Sequence, residues 1–390
     1  MKKIVGFSMK ILQITPYFLP HTGGVEQYVF NLSNYLVKQG HQVDVITSNS
    51  PPGLKTEKMK GITITRLPCY GELLRNPITP DSLFSIKDFN NFDIIHIHNI
   101  YAFSSVFAGI KKSQIKTPVL LTHHGRLKFG SFFKDTIVHL YEASIGKKIV
   151  KNINCSVALT AVDADFLASL GMKRDRIQII PNGIDVSAFK NSHAVDTATL
   201  RESFGLRNKF VLLYVGEITY RKGIKHLIGA MSEIRNHISD KDIALLIVGS
   251  GPELESMQGL VKKMNLEKYI SFRGRVPFSE LVEYYRIANV FILPSLSEGM
   301  PTAILEALFF NVPVITSDIP ALKESFSDLA LFVNPENERE IAEQVLKLVN
   351  QRYSDTSTPD TRSYVESHYS WSVLSKKYEK IYQKIHQGNY

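Results

Sequence analysis

Short apolar runs recur along this chain, each followed by a stretch of helical periodicity, and the alternation begins afresh halfway. In the first half the runs are Ile11–Tyr17, Gln42–Ser48, Ile62–Leu67, Asp93–His98, Val119–His123, Ser156–Thr160 and Ile177–Pro181. Helical patterns fall between several of them, at Val25–Lys38, Phe103–Lys112 and Ser131–Lys151. The second series comprises Lys209–Gly216, Ala244–Gly249, Ile270–Phe272, Val290–Pro294, Val312–Ser317 and Leu331–Asn334. Its helices fit Lys222–Arg235, Glu253–Met264, Ser279–Ile287, Pro301–Phe310 and Glu338–Asn350. A short run that is apolar throughout belongs to a strand buried on both faces. Strands alternating with helices give parallel sheets covered by helices. The pattern predicts an α/β protein of two Rossmann-like domains, and 390 residues is more than one ordinary core holds. Residues 186–208 are weakly periodic and read as the linker, which gives an N-terminal domain over 1–190 and a C-terminal one over 191–369. Ser354–Ser363 reads as a mobile loop, and an amphipathic helix over about Ser372–Ile385 closes the chain.

Composition excludes several classes. The chain is 44 % hydrophobic and 21 % charged, as globular proteins are. No apolar run reaches the ~18–20 residues of a membrane span. Ile4–Phe7 is too short for a signal-peptide core, and with the first strand starting near Met9-Lys10-Ile11, residues 1–8 read as a short extension. Cys69 and Cys155 match no metal spacing, and with Cys155 opening an apolar run they point to a reducing, cytoplasmic compartment. The net charge of +9 is uneven. Through Lys190 there are 23 basic and 13 acidic residues, a net +10, whereas the remainder carries 23 against 24. Between Lys111 and Lys151 nine basic residues (Lys111, Lys112, Lys116, Arg126, Lys128, Lys134, Lys147, Lys148 and Lys151) face only Asp135 and Glu142. Such asymmetry points to an anionic partner.

The segment from Pro294 to Ala307 carries the most chemistry. Ile292 and Leu293 read as the end of a buried strand, Gly299 frees the backbone, and Pro301 suits the first turn of a helix. Glu298 then sits in a strand-to-helix loop and Glu306 about two turns into the helix. Between them the first-turn N–H groups offer a phosphate site at a sheet edge. Two carboxylates flanking a phosphate site suit the hydroxyls of a sugar and a ribose.

Other segments repeat this strand–loop–helix layout. His21-Thr22-Gly23-Gly24 follows the first strand, and paired glycines let a ligand approach the backbone. Val215-Gly216-Glu217 leads into Arg221-Lys222-Gly223, where two cations at a helix start oppose its dipole unless an anion sits between them. Both cations are expected to be exposed to the ligand cleft. His123 and His124 point to opposite faces at the end of a strand, and His96 and His98 share one face with no clear third metal ligand. Asp163-Ala164-Asp165 fits a helix start after Thr160 rather than a metal site. Neither a phosphate-binding loop ending in Gly-Lys-Ser/Thr nor a nicotinamide fingerprint in the first strand-turn-helix is present.

Gly23-Gly24, His124-Gly125, Pro181-Asn182-Gly183-Ile184-Asp185, Gly216-Glu217 with Arg221-Lys222-Gly223, Val248-Gly249-Ser250-Gly251-Pro252, and Glu298 with Glu306 occur in that order. Together they resemble a retaining family-4 glycosyltransferase of the GT-B fold, over nearly the whole chain. The resemblance implies two Rossmann-like domains facing a central cleft, with the last helix, about 370–390, crossing back to the N-terminal domain. It implies a UDP- or GDP-sugar as donor, no metal and no cofactor. Glu306 would bind the ribose, and Glu298 with the N–H groups of Gly299 and Met300 the transferred sugar. Arg221, Lys222 and the helix start at Met300, Pro301 and Thr302 would meet the diphosphate, Gly216 would line the donor site, Gly24 would border the diphosphate, and His124 would sit by the donor sugar. Phe310-Asn311 departs from the usual Cys-Gly or Ala-Gly, but Asn tolerates the left-handed turn. Met300-Pro301-Thr302 does not choose the sugar. Two rivals remain: a nucleotide-sugar epimerase of the same fold, and an inactive subunit supporting a partner transferase.

The acceptor is expected to be a sugar or a lipid-linked molecule, in glycolipid, polysaccharide or glycoconjugate synthesis; no nucleic acid beyond the nucleotide is expected. Phe132-Phe133, Ile137, Leu140-Tyr141, Ile145 and Ile149 recur at helical spacing beside lysines. Most of that stripe reads as a helix packed on its own sheet. Its basic flank would recruit the protein reversibly to an anionic membrane, by an attraction lost at high salt.

Overall fold

The computed structural model describes residues 8–73, 76–80, 89–110, 114–127, 129–190, 196–239, 242–351 and 360–389. Lys111, Lys112 and Lys128, the extension at 1–7 and most of the 354–363 loop lie outside them. The chain divides into two compact units. The first takes the described residues up to Leu127, then Ser131–Ile184 and the segment from Tyr369 on; the second takes Asp185–His368, with Phe129 and Gly130 clustering alongside. The change of unit thus falls at 184/185, where the sequence reading puts it at 190.

The first unit holds an eight-stranded sheet: β1 (Lys10–Ile14), β2 (Gln42–Ser48), β3 (Thr56–Met59), β4 (Ile62–Leu67), β7 (Ile94–His98), β8 (Val119–His123), β9 (Cys155–Ala158) and β10 (Ile177–Ile179). A small hairpin, β5 (Glu72–Leu73) and β6 (Asn76–Pro77), stands apart. The order is β10-β9-β8-β7-β1-β2-β4-β3, parallel except for β3 on β4. β3 carries no apolar run because it is a half-exposed edge, so the sequence pattern passes over it. Its helices include α1 (Gly24–Lys38), α2 (Val106–Ile110), α3 (Phe132–Tyr141), α4 (Lys147–Asn152) and α5 (Ala161–Ser169). α3 and α4 are joined by one wide π-type turn, Glu142–Gly146, which interrupts the single helix expected over Ser131–Lys151.

The last helix, Trp371–His386, belongs to this first unit. It buries Trp371, Leu374, Tyr378, Ile381, Tyr382 and Ile385, one stripe at helical spacing. Each such side chain contributes roughly 1.5–3 kcal/mol on burial. Ile184 bonds the backbone at both ends of the 369–371 turn, through Tyr369 O and Trp371 N. Gly183 lets that turn close: a Cβ there would lie 2.7 Å from Leu374 and 3.0 Å from the Tyr369 carbonyl.

In the second unit the strands are β11 (Phe210–Val215), β12 (Ile243–Val248), β13 (Ile270–Gly274), β14 (Val290–Leu293), β15 (Val314–Ser317) and β16 (Leu331–Val333). They form one parallel sheet in the order β13-β12-β11-β14-β15-β16. All six residues of β12 are buried, as a strand covered on both faces requires. The helices are α6 (Val186–Lys190), α7 (Thr197–Ser203), α8 (Ile224–Ile234), α9 (Leu254–Lys263), α10 (Phe278–Ile287), α11 (Thr302–Phe309), α12 (Pro320–Phe326), α13 (Glu338–Gln351) and α14 (Thr361–His368). The stretch expected to be a linker therefore contains α6 and α7, and 361–363 open a helix rather than closing a loop. α12, unmarked by periodicity, starts on Pro320, whose missing N–H costs nothing there. Asn311 ends α11 at φ +54, the left-handed turn expected of it.

Candidate functional site

In the second unit the chain leaves β11 for β12 on one side and returns to β14 on the other, so the strand order reverses between β11 and β14. In open parallel sheets ligands bind at the carboxyl ends of strands flanking such a switch point. Three glycines there are dictated by loop packing. A Cβ on Gly249, at φ +139, would lie 1.9 Å from the Gly216 carbonyl oxygen, and one on Gly223, at φ +67, would lie 1.9 Å from that of Pro294. One on Gly251 would lie 2.3 Å from the Ile218 carbonyl oxygen. Backbone meets backbone at these points, which draws the loops after β11, β12 and β14 together.

Arg221 and Lys222 end a single 3-10 turn, Tyr220–Lys222, and left-handed Gly223 separates them from α8. The expected helix start at Lys222 therefore moves to Ile224. Both cations turn onto Glu298 in the loop after β14. Arg221 Nη1 donates to Glu298 Oε2 at 3.1 Å and to the Ser297 carbonyl at 2.9 Å, while Lys222 Nζ donates to Oε1. Ser295 Oγ donates to the same Oε1 at 2.8 Å. The Lys222 side chain is only 12 % exposed and that of Arg221 37 %, so the lysine is far less open than the exposure expected of both. Burial acts to raise the Glu298 pKa, but Lys222 and Arg221 outweigh it and the net shift is downward. Burial, with Arg221 adding to it, pulls Lys222 below the usual lysine range against the attraction of Glu298. The result is a fixed cluster with one surplus positive charge.

Pro301 proves to be the N-cap of α11, with extended backbone, and Thr302 its first residue; the expectation that Pro301 lies inside the first turn is corrected. A proline cap offers no side-chain acceptor, so the first-turn N–H groups receive no capping bond from it. Gly299 and Met300 lie between Glu298 and that helix start, and Met300 is buried. Glu306 is the fifth residue of α11, one turn in rather than the two turns expected. Tyr285, on α10, donates its hydroxyl to Glu306 Oε2 at 2.7 Å. Burial raises the Glu306 pKa, and the bonds from Tyr285 and Thr302 only partly offset it. Sequence reasoning did not find Tyr285: one aromatic in an amphipathic helix looks like core.

His124 and Gly24 lie in the first unit. Gly24 opens α1, and a Cβ there would meet nothing within 4 Å, so no protein group requires its bareness. His124 follows β8. Its Nε2 lies 3.1 Å from His98 Nδ1, while His98 Nε2 lies 2.7 Å from Gln13 Oε1. His124 is half-buried, and desolvation, with neighbouring His123 adding to it, pushes its pKa down to about 3. His123, on the opposite side, packs against Phe166 and Tyr101. His96 bonds Tyr382 and Thr122, each at 2.7 Å, which makes it a packing residue. Thr160 caps α5 by accepting from Asp163 N, so Asp163 serves the helix start, whereas Asp165 makes an exposed ion pair with Arg174. Among the described residues no three His, Cys, Asp or Glu side chains converge as a metal site.

The structure thus joins Arg221, Lys222 and Glu298 directly, and places Gly216, Gly299, Met300, Pro301, Thr302 and Glu306 in the same unit.

Known proteins match both halves of the chain. The family model described as Glycosyltransferase Family 4 matches residues 22–188, and that described as Glycosyl transferases group 1 matches residues 196–364. An uncharacterized glycosyltransferase of Methanocaldococcus jannaschii is 23 % identical, over 97 % of this chain and 99 % of its own. The alpha-monoglucosyldiacylglycerol synthase of Streptococcus pneumoniae is also 23 % identical, over 97 % and 85 %. Among solved structures, sucrose-phosphate synthase from Thermosynechococcus elongatus superposes with a TM-score of 0.80 at 22 % identity, covering 97 % of this chain and 99 % of the other. Anabaena HepE in complex with UDP and glucose does so with a TM-score of 0.78 at 15 % identity, covering 96 % and 100 %. With both halves matched in order and the GT-B fold shared, the chain belongs to the family-4 glycosyltransferases.

Proposed function

We propose that this glycosyltransferase moves a hexose-type sugar from a UDP- or GDP-sugar to an acceptor hydroxyl, with retention at the anomeric carbon and without a metal. The observation that carries this reading is the Arg221–Lys222–Glu298 cluster at the switch point of the second sheet, beside the start of α11. The cluster's surplus positive charge and the α11 dipole suit a diphosphate leaving group. Glu306, whose burial disfavours its charged form, gains most from a ligand that donates hydroxyls to it, as a ribose does. In the reaction the acceptor oxygen bonds to the anomeric carbon on the face from which the diphosphate leaves. The carbon–oxygen bond to that phosphate breaks, and the phosphate takes the acceptor's proton. Arg221 and Lys222 meet the charge developing on the leaving group, and Glu298 holds both cations in place and takes sugar hydroxyls with Gly299 and Met300.

The UDP and glucose bound to HepE make UDP-glucose the first donor to try. A glycolipid product is suggested by the diacylglycerol-directed name of the pneumococcal relative. We place the enzyme in the cytoplasm, peripherally on an anionic membrane; no helix among the described residues is long and apolar enough to cross one. Labelled UDP- and GDP-sugars incubated with glycolipid acceptors, with and without a strong chelator, test the reading. Transfer with retained configuration in chelator is expected. Epimerised donor without transfer would make the chain an epimerase, and chelator-reversible loss would overturn the metal-free mechanism.

A further inference from the structure

α3 should bury a stripe against its own sheet, yet among its residues only Val138 is buried. Phe132 is 92 % exposed, Phe133 73 %, Leu140 66 % and Ile137 40 %. At 3.6 residues per turn these four fall within an arc of about 140°, opposite the buried side. The helix is not loosely attached. Glu142, at its end, is buried and takes Arg126 through two bonds, at 3.0 and 2.6 Å, and the Tyr101 hydroxyl at 2.6 Å. α3 is thus anchored by one side, and its outward face presents two adjacent phenylalanines to solvent.

Charge around this face is one-sided. Lys147, Lys148 and Lys151 are exposed along α4. The two acids of the region are engaged: Glu142 as above, and Asp135 by the Ser131 N–H at 3.2 Å. A bare apolar arc flanked by lysines, in a half of the chain with a net +10, matches a bilayer surface with anionic headgroups. A protein partner would have to supply both an apolar groove and acids around it.

We infer that α3 inserts Phe132, Phe133, Ile137 and Leu140 into the interface of an anionic bilayer, with the α4 lysines on the headgroup phosphates. This rests on the membrane part of the proposed function and not on the transfer chemistry. It also changes the expected salt response. Lysine attraction is screened by salt, but burial of phenylalanine is not.

Sedimentation with phosphatidylglycerol-containing vesicles and with neutral vesicles tests it on the full chain, with no donor or acceptor present. Its failure would leave glycosyl transfer untouched, and inactive protein could still bind. The wild type should bind the anionic vesicles, weaken in high salt and keep a salt-resistant remainder. Phe132→Ser with Phe133→Ser should lose roughly tenfold or more of the affinity, including that remainder. Lys147→Glu, Lys148→Glu and Lys151→Glu together should lose the preference for anionic lipid. All these side chains are exposed, so the variants should melt as the wild type does. Trp371 is the only tryptophan and is buried, so in Phe133→Trp a blue shift on adding vesicles reports insertion directly. The inference is overturned if the wild type ignores anionic vesicles at low salt, if the double Phe variant binds like the wild type, or if that variant instead turns a vesicle-free dimer into a monomer, which would make the face an interface between two copies.

Discussion

Tyr285 holds Glu306 from a neighbouring helix, its hydroxyl 2.7 Å from Oε2, in a place where burial raises the carboxyl's pKa. The folded protein keeps this proton to higher pH than the unfolded chain does. Ionisation therefore costs stability as pH rises from the ordinary carboxylate range through the raised value. Glu306→Gln removes that cost and should be at least as stable as the wild type at neutral pH. It should bind UDP or GDP about tenfold or more weakly, because a charged hydrogen bond is worth ~1.5–3 kcal/mol. Wild-type affinity should fall as pH drops through the raised pKa. Calorimetry at several pH values reads both, and unchanged affinity in the variant would remove Glu306 from the site.

The two cations should separate in mutagenesis. Lys222→Ala leaves a buried carboxylate short of its closest charge and should destabilise the fold by about 3 kcal/mol. Arg221 is more than a third exposed, so its bridge is screened and Arg221→Ala should cost less than about 1 kcal/mol while lowering turnover strongly. Glu298 is held below its ordinary pKa, so its stabilisation is present above the unfolded value and is lost as pH falls through the depressed one. Denaturant midpoints of the two variants decide this; equal losses would contradict the burial difference.

Gly223→Ala should be among the most damaging single changes in the second unit. The new methyl would occupy φ +67 and meet the Pro294 carbonyl at 1.9 Å. The left-handed backbone alone costs about 1–2 kcal/mol, and the loop must also move. Gly24→Ala meets open space and should leave the melting temperature nearly unchanged, so that any loss of activity there points to the ligand.

Buried His96, His98 and His123, together with half-buried His124, make the first unit acid-sensitive. Burial lowers His96 and His98 well below 6.5, and His123 and His124 to about 3. Their contribution is complete above about 6.5 and is lost as pH falls from there towards 3, because the unfolded chain takes up protons the folded one refuses. His124→Asn should flatten that slope measurably in urea titrations at pH 5 and 7. An inflection near 6.5 in activity that His124→Asn abolishes would show that His124 titrates there, against its burial.

Much of this protein is written locally. The fully apolar β12 run, Asn311 at a helix end and Thr160 ahead of Asp163 each depend on neighbours a few positions away. Periodicity, turn chemistry and capping are properties of short segments, so the two series of strands and helices, and the loops after β11 and β14, are legible in the amino-acid sequence alone. The same locality explains the misses. β3 is a polar edge, α12 is short, and 186–208 carries two helices without a clear stripe.

The pairing of Lys222 with Glu298, 76 positions apart, follows from β14 lying beside β11, which no segment encodes. Sequence supplied both residues and their loops; tertiary structure decided that they neutralise each other in a nearly buried cluster. Likewise the spacing of Phe132, Phe133, Ile137 and Leu140 marks an apolar face on a helix and says nothing about what covers it. Burial is decided by which surface a helix turns to the rest of the chain. Here that surface is the side of Val138 and Glu142, and the phenylalanines are left outside.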